Sequence, residues 1–104
     1  MKELSKIREE IDEIDSQIAA LYEARMRLTG EVAEYKLSVG KPVLDKTREK
    51  EKLEKVKGLV QSEENRYGVG ELFEQIMALS RRRQYQMMIQ HGQEIGRASC
   101  RERV

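Results

Sequence analysis

The apolar residues Leu4, Ile7, Ile11, Ile14, Ile18, Leu21, Leu28, Val32, Tyr35 and Val39 recur mostly at alternating steps of three and four. That is the heptad seam of a long helix. Gly30 is the only breaker within the run, and one interior glycine costs only about 1 kcal/mol. An unbroken helix over this stretch measures about 50 Å at 1.5 Å per residue. A small globular monomer cannot enclose such a rod, so the seam points to a spine shared by two chains.

Composition agrees with that reading. The chain has 104 residues, the size of one domain. Charged residues make up 38% and aromatics 5%, with one Pro and no Trp, as expected of solvated helices rather than a sheet sandwich. So few large apolar side chains build a thin core in one chain alone. A second copy is the natural remedy.

Twenty basic and nineteen acidic residues leave a formal net charge of +1, which gives no basic excess to hold nucleic acid. No apolar run approaches the roughly 20 residues needed to span a bilayer. The opening Met1-Lys2-Glu3-Leu4 lacks the apolar region of a signal peptide. A single cysteine, Cys100, cannot form an internal disulfide. These features predict a reduced, cytoplasmic protein with neither nucleic acid nor membrane as a partner.

Residues 94–104, EIGRASCRERV, follow no apolar period and resemble the in-frame translation of a sequencing adapter. They are read as a non-native tail, which leaves 1–93 as the functional domain and gives Cys100 no role. Setting aside the tail's three Arg and two Glu leaves 17 basic and 17 acidic residues.

The breaker cluster Ser38-Val39-Gly40-Lys41-Pro42 ends the first helix. A second helix is expected from Asp45 or Lys46, with Asp45 as its cap. Its stripe of Leu53, Val56 and Val60, extended back by four, reaches Glu49, with Arg48 beside it. The polar stretch from Ser62 to Gly70 reads as a loop. A third helix is expected from about Val69 to His91, with an inward stripe of Leu72, Phe73, Ile76, Met77, Ser80, Gln84, Met87 and Met88.

Several polar residues interrupt these apolar faces. Arg25 fills a seam position between Leu21 and Leu28. Lys36 lies eleven residues further on, three helical turns and about 16 Å along the axis. Glu49, Ser80 and Gln84 occupy inward positions on the other two helices. Each alone has a plain reading: a snorkelling Arg, a surface Glu, a Ser bonded back to its own helix. Together they describe a small anionic-ligand pocket inside a helical bundle. No metal-ligand set accompanies the lone His91. There is also no nucleophile beside a base and no Gly-rich phosphate loop. Fixed charge is the chemistry such a site offers.

Over residues 3 to 91 the sequence resembles the all-α chorismate mutases. The resemblance is carried by Arg8 in KIREEIDEID, by Arg25 and Lys36 in LYEARMRLTGEVAEYK, by Asp45, Arg48 and Glu49 in GKPVLDKTREKE, and by Ser80 and Gln84 in LFEQIMALSRRRQ. It implies three helices per chain, two chains intertwined along the first helix, and active sites that both chains build. It also implies rearrangement of chorismate to prephenate, a step of phenylalanine and tyrosine synthesis, without cofactor or metal. Carried over by position, Lys36 and Gln84 would donate to the ether oxygen of the substrate. Glu49 would accept from its ring hydroxyl, aided by the backbone near Asp45. Arg25, and Arg8 from the other chain, would bind carboxylate, with Arg48 and Ser80 completing that binding. Arg8 and Lys36 are 28 residues apart, about 42 Å along one helix, so they cannot meet one small molecule from the same chain. The run Arg81 to Arg83 reads as a solvated face beside the site. Two rival readings are an isochorismate-pyruvate lyase on the same fold and a non-catalytic helical dimerisation module.

Overall fold

A computed structural model of the chain describes the backbone of residues 1–103 and the side chains of residues 1–92. Three helices account for it: α1 (Leu4–Val39), α2 (Lys46–Gly58) and α3 (Glu63–Arg103). Among the described residues there is no strand. The expected tail, with Cys100, has its side chains outside the described residues.

Helix α1 has the predicted bounds. It stops where Gly40 turns to φ 72°, a left-handed conformation that glycine adopts without a Cβ penalty. The N–H groups of Gly40 and Lys41 both donate to the Lys36 carbonyl, closing the last turn. Asp45 caps α2 as expected: its Oδ1 accepts from the Arg48 N–H at 3.0 Å.

Helix α3 departs from expectation at both ends. Residues 63–70, read as loop, are helical. The Ser62 carbonyl accepts the first helical bond from the Arg66 N–H, and Glu63 and Glu64 sit in the first turn, where the helix dipole favours negative charge. Gly68 and Gly70 each cost about 1 kcal/mol of helix propensity, too little to outweigh that start. For the same reason Gly92 does not end the helix.

Helices α1 and α2 each pack on α3 and not on one another. The molecule measures 74 × 30 × 16 Å, and its least dimension hardly exceeds the 10–12 Å diameter of one helix with side chains. There is little room for an interior. Among the described residues the buried apolar side chains are Ala33, Val43, Val56 and Met77, and no large side chain is fully enclosed. The stripe on α2 is borne out, with Val56 buried and Leu53 and Val60 half-buried. On α3, Met77, Ser80 and Gln84 are buried as expected, but Leu72, also placed on the inward stripe, is 52% exposed.

The seam of α1 is the most consequential surface. Its ten residues, Leu4 to Val39, are between 39% and 69% exposed. A different face, centred on Thr29 and Ala33, lies on α3. The first helix is therefore apolar on two sides and covered on one. Replacing Gly40 with Ala should cost about 1 kcal/mol, because a Cβ disfavours the left-handed turn. Urea denaturation of the purified variant checks this, and an unchanged midpoint would contradict it.

Candidate active site

Lys36 stands in the last turn of α1, and its side chain reaches across the connection to α2. The Nζ donates to the Val43 carbonyl at 2.7 Å. Val43 itself is buried. The Gly40 turn thus folds the connection back over the end of α1, and Lys36 ties it there. An ammonium has three donors, so two remain for a ligand.

Arg25, one helical face along, points at α3. Its Nη1 donates to the Ser80 Oγ at 2.6 Å, and Ser80 donates in turn to the Ile76 carbonyl at 2.9 Å. Thr29 lies 3.5 Å from the same oxygen. The polar seam position therefore holds its guanidinium inward. Ser80 does bond back to its own helix, the plain reading, and it also fixes the arginine.

Gln84 lies one turn beyond Ser80 and is buried. Its Oε1 is buried and, among the described residues, has no hydrogen-bond partner. Leaving such a group unpaired costs about 1–3 kcal/mol, and positions of that kind are retained where function needs them. Glu49, in the first turn of α2, is ion-paired with Arg81 of α3.

These side chains face one cavity of about 340 Å³ between the three helices. Seven of the eight predicted site residues line it: Arg25, Lys36, Asp45, Arg48, Glu49, Ser80 and Gln84. Asp45 takes part at the rim, where it is already occupied as the cap of α2. The eighth, Arg8, does not reach the cavity; it stands on the exposed first half of α1. About 26 Å of helix separates it from Arg25.

Two cations line the cavity that sequence reasoning did not place there, Lys52 and Arg81. Arg81 belongs to a run that reads from composition as a solvated face, but it is only partly exposed and pairs with Glu49. The available signal was its place four residues after Met77, on the inward stripe. Lys52 lies three residues after Glu49 on the same helical face. Arg48 beside it is the main cause that pushes the Lys52 ammonium below its usual range, and burial, Lys55 and Arg25 add to the effect. Like charges crowded this way favour an anionic ligand. Among the described residues no three His, Cys, Asp or Glu side chains come together as metal ligands would. No helix among them is long and apolar enough to cross a membrane.

Replacing Ser80 with Ala should remove the anchor of Arg25 and cost about 1–2 kcal/mol of stability, the loss expected when a charge-assisted hydrogen bond goes. A denaturation midpoint identical to that of the unaltered protein would contradict the hub geometry.

Residues 7–85 match the family described as chorismate mutase type II. No curated protein matches the chain, and no solved structure does.

Proposed function

The chain belongs to the chorismate mutase type II family and is an isomerase of that class; from that premise we propose that it converts chorismate to prephenate at two sites, each built by two copies of the chain. The observation that carries this reading is the convergence of Arg25, Lys36, Arg48, Glu49, Ser80 and Gln84 on one cavity.

The reaction is intramolecular. The ether C–O bond of the substrate breaks as a C–C bond forms, so no other reactant enters, and negative charge grows on the ether oxygen at the transition state. Arg25 and Arg48 bind carboxylate, for which the planar guanidinium fork is suited. Ser80 keeps Arg25 aimed. Glu49 accepts from the ring hydroxyl. Holding these groups selects the compact reactive conformer. Lys36 and the Gln84 amide then stabilise charge that appears only at the transition state, which speeds the chemical step rather than tightening substrate binding.

The second copy follows from the bare seam. Burying a Leu, Ile or Val side chain fully is worth about 1.5–3 kcal/mol. Ten half-exposed residues per chain then offer on the order of 10 kcal/mol per chain, against an association cost of about 4–15 kcal/mol for the pair. An antiparallel pairing about the middle of α1 brings position 8 of one chain level with position 35 of the other. Arg8 of the partner subunit then stands beside Lys36 and closes the cavity over a carboxylate. The cytoplasm, where aromatic amino acids are made, is the setting that fits this role.

Incubating the purified protein with chorismate, and following loss of its absorbance with the product identified by chromatography, tests the activity. Prephenate should form. No turnover by a helical, dimeric sample would overturn the reading, and isochorismate would then be the substrate to try. Lys36→Ala should lower kcat by about 10²–10³ and move KM much less, because the lost donor acts at the transition state. Gln84 carries no titrating proton, so activity should persist above neutral pH. Gln84→Glu should be active only at pH low enough to protonate the new carboxyl and should fail as pH rises, because only the protonated form donates. A pH profile for Gln84→Glu that matches the unaltered enzyme would contradict the role given to Gln84.

A further inference from the structure

Among the described residues, the ion pair between Arg81 and Glu49 is the only one that joins two helices. It connects α3 to α2 at the wall of the cavity. Helix α2 has no packing contact with α1. The start of α2 is held by the connection that Lys36 ties at Val43 and by the Asp45 cap, but among the described residues the Glu49 side chain itself is held only from α3. Apolar contact at Val56 fixes the helix two turns away, but the Glu49 side chain has three rotatable bonds of its own.

Arg81 binds Glu49 through one oxygen. Its Nη1 donates to Oε1, while Oε2 takes no hydrogen bond among the described residues. A carboxylate tied at one oxygen is restrained in its orientation, and its other oxygen stays available as an acceptor in a defined direction. The other nearby cations do not do this. Lys52 and Arg48 lie on the same helix as Glu49, and among the described residues neither side chain pairs with it.

We infer that Arg81 is a positioning residue whose guanidinium holds the Glu49 carboxylate in the orientation that accepts a hydrogen bond from the ring hydroxyl of the substrate. Arg81 thereby sets the preference of the site for a hydroxylated ring. The inference rests on the role proposed for Glu49 and deepens it. A contrary arrangement, in which Arg81 leaves Glu49 to bind a substrate carboxylate directly, makes a different prediction. It would weaken all dicarboxylates equally, because every one of them carries the carboxylate.

The test is the binding of two bicyclic dicarboxylate analogues of the transition state, one with the ring hydroxyl and one without, to the dimeric protein. The unaltered protein should prefer the hydroxylated analogue by about tenfold or more, the size of a hydrogen bond to a charged group. In Arg81→Met both analogues lose some affinity with the lost charge, but the preference between them should collapse to within about twofold. Arg81→Lys, which keeps the charge and can still reach the carboxylate, should retain part of it. Glu49→Gln should lose the same preference, and adding Arg81→Met to it should change the ratio no further. Equal weakening of both analogues in Arg81→Met, with the preference intact, would overturn the inference and leave Glu49 in its role. An unaltered protein that binds both analogues alike would overturn the role of Glu49 itself, and the inference with it. Circular dichroism of each variant separates these outcomes from misfolding.

Discussion

A helix that carries two apolar faces needs two partners, and α1 finds one of them within its own chain. The face with Thr29 and Ala33 lies on α3. The heptad face from Leu4 to Val39 is left to solvent. Everything else about the molecule follows from that imbalance. The body is one helix layer thick, the buried apolar set among the described residues is four side chains, and the first half of α1 is exposed. On the proposed account the second copy supplies the missing face, and the chemistry depends on it because Arg8 cannot reach the cavity otherwise.

The cavity shows how a small helical chain concentrates charge. Arg25, Lys36, Arg48, Lys52 and Arg81 surround it, with Asp45 and Glu49 as the carboxylates. Three of these cations are tethered by neutral or acidic partners: Arg25 by Ser80, Lys36 by the Val43 carbonyl and Arg81 by Glu49. Fixed donors lose little freedom when a ligand arrives, and preorganisation of that kind is what electrostatic catalysis requires. Lys52, crowded by Arg48 and untethered, marks the positive potential that remains.

Much of this was legible in the sequence, for identifiable reasons. The bounds of α1 follow from its period and from the Gly40–Pro42 breaker. The cap at Asp45 and the inward place of Glu49 follow from the stripe of α2. Seven of the eight site residues line one cavity: Arg25, Glu49, Ser80 and Gln84 interrupt apolar faces, a signal that periodicity carries, whereas Lys36 lies beside the seam, Asp45 reads as a cap, and Arg48 is singled out by the resemblance. The start of α3 was not legible: two glycines and a run of polar residues look like a loop, and only the acidic first turn after Ser62 reveals the helix. Arg81 was hidden among three consecutive arginines, whose composition says solvent while the position of one of them says cavity. Thr29 and Ala33 lie on a face about 100° round the helix from the seam, and a Thr and a small Ala carry too weak an apolar signal to mark it.

On the proposed account each active site takes Arg8 from one chain and Lys36 from the other, and subunit exchange between two variants separates that arrangement from a site built by one chain. Arg8→Ala and Lys36→Ala homodimers are each crippled, since every site lacks one of the two cations. Mixed and allowed to exchange, they form heterodimers in which one site has both residues intact and the other has neither. With random pairing, half the dimers are mixed and one site in each works, so activity should recover to about a quarter of the unaltered level. A mixture no more active than its parents, with exchange confirmed by mass spectrometry, would contradict the shared site.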